Sequence, residues 1–435
     1  MSDVVADAAA LSEELTRVRR AFHQIPELGL QLPRTQELLL TELAPLPLEI
    51  TLGKDLTSVV AVLRGGAPVP DAAQGARPAV LLRSDMDALP VDEEVDSSFR
   101  SKLSGRMHAC GHDLHMAMCI GAARLLAARR EDLAGDVVFM FQPGEEGHDG
   151  ASYMLREGVL DASGARVRAA YALHAFSGSI PHAQFSTRPE AFMSASEDLK
   201  VIVHGRGGHG STPHRANDPV VAVAEMVLAL QTMVTRKFDI FDPVVVTVGC
   251  MQAGHQRNTI SESAYFEATV RTFSPTARTR IRELIPTLIQ GIASAHQVEA
   301  VCTWEGGYPM VRNDRDAVDF AENLVGEMFG PGRYQTLERP FAASEDFARV
   351  LNEVPGAMIA LSAVPTGVDA QQAAFNHSPR AFFDESVMPS GAALLAQLAT
   401  ARLQVEAESD RQDADSQVPQ GLAGSRTGSD VSLGG

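Results

Sequence analysis

Four short apolar runs, each leading to a polar cluster, constrain this chain more than any other feature. "AVLLRSD" (Ala79–Asp85) leads to Asp87, and "DVVFMFQ" (Asp136–Gln142) leads to Glu145 and Glu146. "VRAAYALHA" (167–175) carries His174 at its end, and "GAMIALSAV" (356–364) precedes "FNHSP" with His377. Together with "SVVAVLRG" (58–65), these runs predict short buried strands, and the i, i+3, i+4 apolar spacing over 115–130 predicts a packed helix. Strands interleaved with helices predict an α/β fold whose mostly parallel sheet is covered by helices on both faces. In such sheets ligands bind beyond the carboxyl ends of the strands, which is where these clusters lie.

A different rhythm runs from 194 to 305. "DLKVIVHG", a helix over 219–236, "VVVTVGC", "AYFEATVRTF", a helix over 277–296 and "VEAVCTW" make the order βαββαβ. That order predicts an inserted ferredoxin-like α+β domain. The expected division is 1–193 and 306–404 for the two parts of the catalytic domain, 194–305 for the insert, and 405–435 for a disordered tail. The tail is polar and aperiodic, with little to bury.

Composition excludes several classes. A formal charge of −18 argues against nucleic acid, which needs a basic face. No stretch approaches the roughly 20 apolar residues of a membrane span. The start, "MSDVVADAAALSEEL", has no basic region followed by an apolar core, so no signal peptide is expected. The four cysteines (Cys110, Cys119, Cys250, Cys302) show no pairing pattern, which predicts reduced thiols and a cytoplasmic location.

The chemistry centres on "MHACGHDLHMA", where Cys110 and His112 are two apart. Thiolate, imidazole and carboxylate are the ligand types of zinc and its neighbours. On a regular helix two residues at this spacing diverge, whereas in a loop or across a helix start they converge, and Gly111 allows a tight loop. Taken alone, such a pair fits an incidental polar loop, and Glu145-Glu146 fits a solvated acidic turn. Set on one rim with His174 and His377, the pair of glutamates admits a division of labour. One carboxylate would ligate while its neighbour takes a proton from a metal-activated water. His108, His115 and His148 read as ordinary polar residues.

The run "RSDMDALPV…GRMHACGHDLHMA…FQPGEEGHDGA…ALHA…GRGGHGSTPH…NDPV…TVRTF…EDF…NHSP" resembles the dinuclear metallohydrolases of the aminoacylase and carboxypeptidase family. Its nearest branch is that of amidohydrolases, with hippurate hydrolases and the plant enzymes that release auxin from amino-acid conjugates. The resemblance runs from about Leu15 to Leu403. It implies that Cys110, His112, Glu146, His174 and His377 ligate two divalent ions, zinc or manganese first, with cobalt and nickel also suited. It implies that Glu145 is the general base and that Asp87 orients a ligand. The insert becomes a lid that makes a homodimer, or a tetramer built on it. Lid residue His209 supports the scissile carbonyl oxygen, and Asn258 and Arg271 bind the substrate's polar end. The chain departs from the family's usual wording at 258–261, at 268–271 and in "AFSGSIPHAQ", stretches that bear on substrate fit.

The expected reaction is hydrolysis of the amide of an N-acyl amino acid or similar small amide by a metal-activated water. A carboxypeptidase or dipeptidase would use the same chemistry on a different acyl side. A non-catalytic binder of metal or ligand is the rival of another class, and Glu145 argues against it, because a binder needs no base.

Overall fold

The structure, a computed structural model, describes residues 2–68 and 77–416. Its main sheet has eight strands. Their order is Leu48–Leu52, Val59–Leu63, Asp136–Gln142, Ala79–Asp85, Ala169–Phe176, Gly356–Ser362, Phe185–Thr187 and Tyr334–Thr336. The four strands from Asp136–Gln142 to Gly356–Ser362 are mutually parallel and buried at every residue. They are buried on both sides because apolar layers cover both faces. One layer includes Leu15, Phe22, Leu114 and Leu395 from helices Ser12–His23, His112–Ala128 and Met388–Ser416; the other includes Met154, Phe347 and Val350. The outer strand Leu48–Leu52 pairs antiparallel and is largely exposed. The chain therefore folds in the expected α/β class.

The helix expected over 115–130 spans His112–Ala128. It starts early because Gly111, at φ 85°, turns the chain sharply just before it. A Cβ at Gly111 would come within 2.9 Å of the Phe383 ring. Asp113 then sits in the first turn, where a carboxylate suits the helix dipole. Its Oδ2 accepts from Arg19 Nε at 2.7 Å and lies 2.8 Å from His23 Nδ1, with all three residues buried. The N-terminal helix thereby fixes the start of the helix that carries His112.

A second, antiparallel sheet has the order Val244–Ala253, Ser263–Thr272, Ala195–His204, Glu299–Glu305. Helices Pro219–Lys237 and Pro275–His296 pack on it, with Met226, Ile281 and Ile285 in one core with Phe266 of the sheet. Helix Pro219–Lys237 is, by length and composition only, apolar enough to cross a membrane, as core helices of soluble proteins also can be. Its buried side, which includes Ala222, Met226 and Leu230, belongs to the core of this sheet. Between the two sheets the chain crosses in neighbouring segments. Ser196 N–H donates to the Tyr308 carbonyl at 3.0 Å, and Tyr308 N–H donates to Ser196 Oγ at 3.1 Å.

Helix Met388–Ser416 runs through the first part of the tail expected from Val405, which is therefore helical and not disordered. Arg168 holds that extension with bonds of 2.6 and 2.8 Å to Asp410, and Arg402 reaches Glu406 at 2.9 Å. The rest of the expected tail, 417–435, lies outside the described residues.

Candidate metal centre

Cys110, Glu145, Glu146, His174 and His377 line one cleft of about 490 Å³. Cys110, His112 and His174 each offer a ligand atom within 4.8 Å of one another, and so do Cys110, Glu146 and His377. The two triads share Cys110, an arrangement in which one thiolate can face two neighbouring cations. His112, Glu145 and Glu146 form a third group of the same span.

The backbone explains how these side chains converge. Asp87, just past strand Ala79–Asp85, accepts from Glu145 N–H and Glu146 N–H, both at 3.0 Å, through its two carboxylate oxygens. Its own carbonyl accepts from His112 Nδ1 at 2.8 Å. A carbonyl only accepts, so Nδ1 carries the proton and Nε2 is the ring atom left to engage a cation. Burial opposes charge on the ring, but Asp85 and the bond to Asp87 hold His112 well above the usual histidine range. A bound cation would therefore displace a proton from Nε2. His112 Nε2 is buried without a hydrogen-bond partner, 3.9 Å from Glu146 Oε1. A buried ring nitrogen left without a partner beside a carboxylate is an atom that a cation would engage. His174 Nδ1 lies 3.0 Å from the Ala175 carbonyl and Nε2 lies 3.6 Å from Cys110 Sγ, which fixes its tautomer in the same way. His377 has a left-handed backbone, φ 72°, uncommon for a residue with a Cβ, and its Nε2 lies 3.2 Å from Glu146 Oε1.

His115, read from sequence as an ordinary polar residue, is tied off. Its Nδ1 is 2.6 Å from Asp85 Oδ1, and its Nε2 accepts from Ala175 N–H at 2.6 Å. Asn376, unremarked in the sequence reading although it sits beside His377, ties two other segments of the site to its own. Its amide donates to the carbonyls of Cys110 at 3.2 Å and Ala175 at 2.9 Å, and its oxygen accepts from Ser177 N–H at 3.0 Å. Arg83 was also missed. Buried under the site, it bonds to Asp85 at 2.6 Å, Glu345 at 2.8 Å and Asp346 at 3.1 Å. The only hint in sequence was that these residues lie inside the "RSD" and "EDF" runs.

The charges are uneven. Burial first, then the negative Glu345, Glu146 and Asp346, hold the Glu145 carboxyl well above the usual carboxylate range. Cations in the cleft would draw it back down, toward the neutral range that suits a general base. Burial, followed by His115, pushes His174 well below the usual histidine range and keeps it neutral, as a ligand must be. Hydrogen bonds to Cys110 and Glu146 raise His377 to about 10, and a cation bound there would displace that proton.

Arg271 and Asp198, from the second sheet, also line the cleft. Burial lowers the Arg271 pKa, and the nearby Asp198 charge opposes that. His209 and Asn258 are not among the residues lining it. They lie together elsewhere: His209 pairs with Thr259, and Gly210 N–H donates to the Asn258 carbonyl at 2.8 Å. His209 is exposed, and its Nδ1 accepts from Ser211 N–H at 3.2 Å, which leaves Nε2–H as the ring's donor.

Residues 81–401 match the family described as Peptidase family M20/M25/M40. The chain is 34% identical over 399 residues to an IAA-amino acid hydrolase (ILR1-like 2) of Arabidopsis thaliana, covering 90% of this chain and 86% of the relative. It is 31% identical over 398 residues to thermostable carboxypeptidase 1 of Saccharolobus solfataricus, covering 90% of this chain and 96% of the relative. Its fold superposes on a dinuclear metal-binding M20 peptidase of Bacillus subtilis with a TM-score of 0.76 at 29% identity, covering 91% and 99% of the two chains.

Proposed function

The chain belongs to Peptidase family M20/M25/M40 and is a metal-dependent amidohydrolase; from that premise we propose how its own residues divide the work. Cys110, His112, Glu146, His174 and His377 hold two divalent ions, with Cys110 shared between them. The observation that carries this reading is the pair of triads meeting at Cys110, with the unpartnered His112 Nε2 3.9 Å from Glu146 Oε1. A mixed sulfur, nitrogen and oxygen set suits zinc or manganese, and also cobalt or nickel. When bound, such ions polarise the scissile carbonyl and acidify a water.

Glu145 takes the proton of that water and delivers it to the leaving nitrogen. Asp87 keeps Glu145 and Glu146 in register by holding both backbone N–H groups. Arg271 presents a planar fork to the carboxylate of the substrate, and this favours an N-acyl amino acid over a neutral amide. The relative that hydrolyses amino-acid conjugates supports the same substrate class. The test is a panel of N-acetyl, N-benzoyl and N-arylacetyl amino acids beside dipeptides, each also offered as its carboxyl amide. Acylated amino acids are expected to turn over fastest and to lose kcat/KM when amidated. A preference for dipeptides would move the enzyme to the carboxypeptidase reading.

His209 and Asn258 sit outside the cleft of their own chain, which supports a two-fold dimer through the lid, with each lid serving the partner's site. His209→Ala and Glu145→Ala are each expected to be inactive. Refolded together in equal amounts, they should recover roughly a quarter of wild-type activity, because about half the dimers are mixed and each restores one site. Mixed dimers that form and stay inactive would remove the partner histidine and leave the metal site standing.

A further inference from the structure

The base loop is tied to the crossing between the two sheets by one side chain. Glu145 is held on both sides of its Cα: its N–H donates to Asp87 at 3.0 Å, and its carbonyl accepts from Tyr308 Oη–H at 2.6 Å. The same phenol oxygen accepts from Asp149 N–H at 3.3 Å, so it closes the turn 145–149 from outside. That turn contains Asp149 at φ 55°, a left-handed conformation that a residue with a Cβ does not hold cheaply by itself.

Tyr308 does not belong to the base loop's own strand. It lies on the return crossing from the second sheet, where its N–H and carbonyl both pair with Ser196, near the start of that sheet's strand Ala195–His204. The contact between strand and crossing is close: a Cβ on Gly307, at φ 98°, would stand 2.2 Å from the Ser196 carbonyl oxygen. Arg349 adds a second tie, bonding to Asp149 at 2.9 Å and to the Gly307 carbonyl at 3.1 Å. Any rotation of the second sheet about these crossings displaces the Tyr308 backbone and, through a buried hydroxyl, the carbonyl of Glu145.

We propose that Tyr308 is a positioning residue that registers Glu145 against the second sheet, so that the base is in place only when that sheet is correctly set. The inference rests on Glu145 being the base. A side chain that acts this way alters the chemical step without altering how metal or substrate binds.

Tyr308→Phe keeps the ring and removes only the tie. Loss of one buried hydrogen bond to the base loop is expected to lower kcat about tenfold. KM should stay within about twofold, because uniform binding is untouched, and metal content should equal wild type. Ser196→Ala loosens the crossing itself and should lower kcat by about threefold in the wild-type background. In the Tyr308→Phe background it should cause a clearly smaller further fall, since only the Arg349 tie then joins the crossing to the base loop. Wild-type kcat in Tyr308→Phe, a fall accompanied by metal loss, or additive effects of the two changes would each overturn the inference. Glu145→Gln is measured alongside. If it retains turnover, the assignment of the base fails and takes this inference with it. If it is inactive while Tyr308→Phe is fully active, only the role of Tyr308 fails.

Discussion

Glu145→Gln is expected to bind its full complement of metal and to lose about 10² to 10⁴ in kcat, the contribution of a positioned base. The substitution preserves shape and the backbone bonds to Asp87 and Tyr308, which involve main-chain atoms. It removes only the ability to accept and return a proton. Glu146→Gln has the same change in charge and size but is expected to shed metal, because Glu146 offers an atom to the triad with Cys110 and His377. Metal analysis and turnover on the two purified variants separate the roles. Equal metal loss in both would make Glu145 a ligand and leave the mechanism without a base.

The second large effect is on stability. Arg83→Met is expected to cost about 3–5 kcal/mol, as breaking a buried ion pair by removing one partner does. Arg83 is the cation among Asp85, Glu345 and Asp346, all buried, and methionine fills much of its volume without answering their charge. The sign of the pH dependence follows from Asp346. Burial already holds its carboxyl well above the usual range, and Arg83 is what opposes that. Without Arg83 the folded carboxyl rises further above its unfolded value, so the folded variant binds more protons and its stability falls as pH rises. Denaturant melts of wild type and variant should therefore converge toward acid pH and diverge toward neutral pH. A constant gap across that range would show that packing, rather than charge, sets the cost.

Much of the centre was legible in the chain because strand ends of a parallel sheet are close in space whatever their separation in sequence. Asp87, Glu146, His174 and His377 each follow or end an apolar run, and the rule about carboxyl ends gathers them before any coordinates are known. Tyr308 was not legible. It stands 163 residues from Glu145 and contacts a backbone carbonyl, which leaves no pattern in side-chain spacing. Arg83 and Glu345, 262 residues apart, pose the same difficulty: a buried ion cluster under a sheet has no periodic signature. The helix start at His112 depended on Gly111 adopting a left-handed φ, which apolar periodicity does not report. The polar stretch after Val405 looked unstructured because its partner, Arg168, lies far away in sequence.

The central claim is that five side chains hold two ions beside a free base. Metal-depleted enzyme, reloaded with zinc or manganese and analysed for metal per chain, tests it most directly. The account predicts two ions per chain in wild type and in Glu145→Gln, and a lower count when Cys110, the shared residue, is replaced by alanine. A wild-type count of one, or a Cys110→Ala count equal to that of wild type, would contradict it.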